Sequence, residues 1–70
     1  MDRITLTSSD LSSAGYNLEN QILEIEFKSG GIYQYYNVPQ SIFDGLIKAT
    51  SHGQYFHQYI KDIYRYSKIG

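Results

Sequence analysis

Two short stretches of alternation, Ile22-Leu23-Glu24-Ile25-Glu26-Phe27 and Ile32-Tyr33-Gln34-Tyr35-Tyr36, stand on either side of Lys28-Ser29-Gly30-Gly31. Successive side chains of a β-strand point to opposite faces, so a period of two commits each stretch to a half-buried strand. Leu23, Ile25 and Phe27 then share a core-facing side and Glu24 and Glu26 the other, while Tyr33 and Tyr35 share one side and Ile32, Gln34 and Tyr36 its reverse. The paired glycines between them can take the positive φ that a short hairpin loop demands. Upstream, residues 11–16 read as a further extended segment, turned back at Asn17-Leu18-Glu19-Asn20, whose asparagines favour a tight reversal. The pattern predicts an antiparallel meander of three strands.

Val38-Pro39 closes the extended run, because proline lacks the N–H of a central strand and has the φ of a first helical turn. From Pro39 to Thr50, Ile42, Phe43, Leu46, Ile47 and Ala49 recur at helical spacing and predict one helix with its stripe on the sheet. Ser51-His52-Gly53-Gln54 fits the S-x-x-Q capping box and opens a second helix, with Tyr55, Phe56, Tyr59, Ile60 and Ile63 as its apolar side. Tyr64-Arg65-Tyr66-Ser67-Lys68-Ile69 alternates again and reads as a last strand. Its Tyr-x-Tyr repeats that of Tyr33-Gln34-Tyr35, and two such strands pair well through cross-strand aromatics. The predicted fold is α+β, in the order β-β-β-α-α-β: a three-stranded meander, two short helices on one face and a C-terminal fourth strand, in a single domain over residues 1–70.

A chain of 70 residues hides only about 60% of its unfolded surface, so the core is thin. Small domains often compensate with disulfides or a structural metal, but there is no cysteine. His52 and His57, five apart on a helix, diverge by roughly 140° and share no ligand cluster, so no metal is expected. Eight tyrosines and three phenylalanines supply the packing instead. The first residues lack the apolar run of a signal peptide, and Glu24 and Glu26 interrupt the most apolar stretch, so neither secretion nor a membrane span is expected. A cysteine-free chain of this kind fits the cytoplasm.

Catalytic patterns are missing from the sequence. Ser8, Ser9, Ser12 and Ser13 sit in no G-x-S-x-G elbow, and Gly30-Gly31 lacks the lysine and hydroxyl residue of a phosphate loop. Glu24 and Glu26 lie on the outward side of a strand, where carboxylates solvate a surface. No enzyme and no cofactor is expected. Net charge is −1, which argues against a strong sequence-independent grip on phosphates, but it is unevenly spread. Residues 1–47 set Arg3 and Lys28 against six acids, a net of −4, and residues 48–70 set Lys48, Lys61, Arg65 and Lys68 against Asp62, a net of +3.

Function therefore turns on which way the tyrosines face. Buried, they are core; exposed beside lysines and arginine, they form a platform on which unstacked bases rest. The platform reading takes Tyr33, Tyr35, Tyr36 and Tyr66 as stacking groups and Lys48, Lys61, Arg65 and Lys68 as phosphate partners, with RNA or tRNA as ligand. The alternative is a protein partner recognised through an open sheet edge.

A longer series of residues carries a resemblance. Ser8-Ser9, Gly15-Tyr16, Leu23-x-Ile25-x-Phe27-x-Ser29-Gly30-Gly31-x-Tyr33-x-Tyr35-x-x-Val38-Pro39, Ser51-x-Gly53-x-Tyr55-Phe56 and Tyr64-x-Tyr66, in that order, resemble the KTSC domain. That short module is named for its occurrence at the C-terminus of some lysyl-tRNA synthetases, and it is also found as free-standing bacterial and phage proteins. The resemblance covers nearly the whole chain and implies a compact α+β unit with Tyr33 and Tyr35 at its centre, a role in binding RNA and no catalysis. Gln34 stands where many relatives look like Y-R-Y. His57, Gln58 and Lys61 stand where they tend to carry arginines and an asparagine, so the basic surface is thinner here.

Overall fold

A computed structural model describes residues 1–70 and has the α+β fold. Its elements are β1 (Arg3–Thr5), β2 (Leu11–Asn17), β3 (Ile22–Phe27), β4 (Ile32–Tyr35), α1 (Gln40–Lys48), α2 (His52–Tyr59) and β5 (Tyr66–Lys68). The strands form one antiparallel sheet in sequence order, β1-β2-β3-β4-β5, with the helices entering between β4 and β5. The three-stranded meander and the returning C-terminal strand are as predicted. The sheet carries one more strand than expected, β1, whose three exposed residues pair with Ser13–Gly15.

Each turn has its own chemistry. Phe27 and Gly31 are joined by the Phe27 N–H donating to the Gly31 carbonyl at 2.8 Å, around a three-residue loop in which Gly30 takes a φ of +112°. Only Gly30 uses the conformational freedom expected of both glycines. At the other reversal, the Asn17 side chain accepts from the Asn20 N–H at 2.9 Å, and the positive φ falls on Gln21. Pro39 is the residue that caps α1, with an extended ψ of 151°, and the helix proper starts at Gln40. Ser51 caps α2, its Oγ accepting from the Gln54 N–H at 3.2 Å, which is one arm of the expected box.

The alternation in β3 and β4 sorts the sheet into two chemically different sides. Leu23 and Ile25 are fully buried beneath Leu46 of α1, Phe56 of α2 and Ile60 just past its end, together with Leu11 and Val38. Each of the largest of these contributes roughly 1.5–3 kcal/mol by leaving water, a substantial share of a small domain's stability. The apolar side of α2 is narrower than the spacing predicted. The helix ends at Tyr59 and the chain turns away through a positive φ at Asp62, which leaves Tyr59 46% and Ile63 59% exposed.

The reverse side of the sheet is a polar row. Arg3, Gly15, Glu24, Gln34 and Ser67 stand opposite one another across all five strands. Gln34 donates to Glu24 at 3.0 Å, Arg3 lies 3.6 Å from the same carboxylate, and Ser13 donates to Glu26 at 3.2 Å. No helix is long and apolar enough to cross a membrane.

Candidate functional site

Two registers on the helix-facing side bring the aromatic residues together. One row runs Tyr16, Leu23, Tyr35, Tyr66 and the next runs Ala14, Ile25, Tyr33, Lys68. Phe27 extends the face at the end of β3, and α2 lowers Phe56 onto the same spot. The result is a closed circuit of five rings. Phe27 meets Tyr33 at 5.4 Å between centroids, Tyr33 meets Tyr66 at 5.8 Å, Tyr66 meets Tyr35 at 5.6 Å, Tyr35 meets Phe56 at 5.7 Å and Phe56 meets Phe27 at 5.3 Å. The angles between planes, 38° to 85°, are the tilted and edge-to-face contacts that ring quadrupoles favour.

These rings wall a cleft of about 310 Å³ whose rim is polar: Ser29 from the β3–β4 turn, His57 from α2, and Lys61 and Asp62 from the segment after it. Gly31 makes room for one wall. A Cβ at this position would sit 2.8 Å from Cε1 of Tyr33, so any larger residue would push that ring out of place. Here the second glycine of the pair serves space where the first serves φ.

Tyr35 lies at the bottom, with 5% of its surface exposed. Burial, and next the neighbouring Tyr33, Tyr66 and Asp62, push its phenol from 10.0 up to about 12. No protein group hydrogen-bonds its hydroxyl, and no buried side-chain polar atom in the molecule lacks a partner, so that hydroxyl opens on the cleft. It remains a neutral donor and acceptor at neutral pH.

The eight residues expected to bind nucleic acid are not all in one place. Tyr33, Tyr35, Tyr66 and Lys61 line the cleft. Lys68 stands opposite Tyr33 in the register, on the same side of the sheet. Tyr36 and Arg65 instead line a separate hollow of about 350 Å³ with Asn37 and Ser67, touching the cleft group only through Tyr66. Lys48 is in the last turn of α1 and lines none of these hollows. Sequence reasoning had assigned Phe27 and Phe56 to the core and had given Ser29, His57 and Asp62 no role. The available signal was register: Phe27 follows Ile25 on the face that carries Tyr33, and a hairpin drawn through Gly30 sets the two rings side by side.

His52 and His57 have different surroundings. His52 Nδ1 is 2.8 Å from the Leu46 carbonyl, joining α2 to α1, whereas His57 is exposed, with Nε2 3.9 Å from Asp10 and its ring edge-on to Phe56.

The family model of the KTSC domain matches residues 7–66, which takes in every element except β1 and the last two residues of β5. The chain belongs to the KTSC domain family. A KTSC domain protein of Yersinia pestis, known from its crystal structure, superposes with a TM-score of 0.96 at 38% identity, covering 99% of this chain and 97% of that one. An uncharacterized protein of Stutzerimonas stutzeri is 47% identical over 70 residues, 99% of each chain. A lysine–tRNA ligase of Nostoc sp. is 43% identical over 54 residues, 77% of this chain but only 10% of the ligase. The KTSC domain is thus both a chain of its own and a small part of a larger enzyme.

Proposed function

We propose that this KTSC domain is a non-catalytic binding module that receives an unstacked nucleobase of RNA in the five-ring cleft. The observation that carries the reading is the closed circuit of Phe27, Tyr33, Tyr66, Tyr35 and Phe56 around an open cleft, with the Tyr35 hydroxyl unused by the protein. Aromatic faces hold bases without regard to sequence, and a phenol at the bottom offers a hydrogen bond to a base edge. Lys61 on the rim and Lys68 beside Tyr33 are the phosphate partners in this reading. Tyr36, Arg65 and Lys48 lie outside the cleft and serve at most as distant charge or a second contact. The relationship to lysine–tRNA ligases makes tRNA the first RNA to try. A cytoplasmic setting belongs to the same proposal.

An added strand from a protein partner is less favoured. The two edges of the sheet, β1 and β5, are three residues each and offer few ladder bonds.

A titration of single-stranded RNA, followed by tyrosine fluorescence, tests the reading. Binding weakens roughly tenfold in Tyr66→Ala, whose ring is 57% exposed and whose loss spares the core. The log–log salt slope is about −0.7 for each phosphate neutralised. Absence of any RNA binding at about 50 mM salt overturns the proposal, since electrostatic contacts are strong under that condition.

A further inference from the structure

The cleft does not end at its aromatic wall. A second hollow, of about 410 Å³, shares Phe27, Ser29, Phe56 and His57 with it and continues toward the loop before β2. The two spaces meet across the Phe27–Phe56 edge contact, so together they make one groove with two chemically distinct halves. The first half is five rings. The second keeps only Phe27 and Phe56 of those five, with the His57 imidazole, and adds Ser9, Asp10 and Lys28.

The turn that carries Gly30 builds this second half. The Lys28 N–H donates to the Asp10 carbonyl at 2.9 Å, which fixes the loop before β2 against the hairpin and holds Lys28 and Ser9 on the same hollow. Asp10 is its one anion, and it stands 3.9 Å from His57. What remains to greet a ligand, beside the His57 ring, is an ammonium and two hydroxyls, a donor set for a phosphodiester and its ribose.

We infer that the groove is a two-part nucleotide site, resting on the reading of the cleft given above. One base occupies the five-ring half, and the phosphodiester and ribose leading to the adjoining nucleotide lie over Ser29 and Lys28. The ligand is therefore at least a dinucleotide, and Lys28, an acid-rich-half residue that composition alone sets aside, is the phosphate contact.

The test compares adenosine with the dinucleotide ApA by calorimetry, on the wild-type chain and on Lys28→Ala and Tyr66→Ala. Lys28 is exposed and contacts Asp10 through its backbone, so K28A leaves the fold intact. We expect ApA to bind about tenfold more tightly than adenosine, as for one charge-assisted contact. K28A should erase that gain while adenosine binding stays unchanged, and Tyr66→Ala should weaken both ligands. If adenosine binds and ApA binds no better, or if the gain survives K28A, the two-part site is wrong and the single-base cleft stands. If neither ligand binds, the nucleobase reading of the cleft fails and this inference goes with it.

Discussion

Tyr16 and Tyr35 belong to one cross-strand row, on the same side of the sheet and separated only by Leu23, yet the fold uses them in opposite ways. The Tyr16 hydroxyl donates to the Val38 carbonyl at 2.5 Å, and its ring lies flat on Phe43 of α1, centroids 5.2 Å apart at 14°. Both the ring and the hydroxyl are consumed in closing the chain onto the sheet. Tyr35 is the more deeply buried, and its ring too is packed, against Phe56 and Tyr66, but its hydroxyl is left to the cleft. Burial of an aromatic ring therefore does not decide between packing and binding in a domain this small. The fate of the polar end does, because a hydroxyl already bonded within the protein has nothing to offer a ligand.

Removing each hydroxyl separately is the sharpest way to break this contrast. Tyr16→Phe leaves the carbonyl of Val38, a fully buried residue, without its donor and should cost about 2 kcal/mol, read as a lowered midpoint in urea with RNA affinity unchanged. Tyr35→Phe removes no protein hydrogen bond and should move stability by no more than about 0.5 kcal/mol while weakening RNA binding. Equal losses of stability in the two variants would mean that the Tyr35 hydroxyl is structural after all.

Alkaline pH separates the same pair by another route. The Tyr35 phenol ionises at 10.0 in an ordinary environment and at about 12 in the fold. Between those values the unfolded chain has released the proton and the folded chain has kept it. The stabilisation is thus complete below pH 10 and is lost as pH rises toward 12. Tyr35→Phe should make the fall of stability over that window shallower, in denaturation followed at stepped pH. Part of the fall remains, because burial also raises the phenols of Tyr16 and Tyr55, helped by Asp44 in the first case and by Tyr59 and then Tyr64 in the second. An unchanged slope would place Tyr35 in water rather than at the bottom of a cleft.

The frame of this site was legible in the residues themselves. Alternation in Ile22–Phe27 and in Ile32–Tyr35 is dictated by one face being buried, and it placed Tyr33 and Tyr35 on a common side. The matched Tyr-x-Tyr segments marked β4 and β5 as partners, and Tyr35 does stand opposite Tyr66. Ser51 announced α2 because a cap is a local hydrogen bond. Local rules stop where distant segments meet. Arg3, Ile4 and Thr5 are exposed and too few to show a period, so β1 could not be seen. Phe27 and Phe56 are 29 positions apart in sequence, and only the seating of α2 on the sheet turns two core residues into cleft walls. Arg65 was grouped with its neighbours by charge, but it precedes β5 and lines the hollow with Tyr36, Asn37 and Ser67 rather than the cleft.

The smallest expected effect tests whether position or charge governs the basic residues. Lys48 and Lys61 carry the same charge, yet Lys61 is on the rim of the cleft and Lys48 is at the C-terminal end of α1, away from it. There an exposed ammonium steadies the helix dipole by a few tenths of a kcal/mol. Lys48→Ala should cost no more than about 0.5 kcal/mol of stability and leave the salt slope of RNA binding unaltered. Lys61→Ala should leave stability alone and make that slope shallower by about 0.7, the increment for one phosphate. If the two substitutions changed the slope equally, the domain would be attracting RNA through its diffuse C-terminal charge. The tyrosine cleft would then be a feature of packing, and Tyr35 would be no more a ligand group than Tyr16.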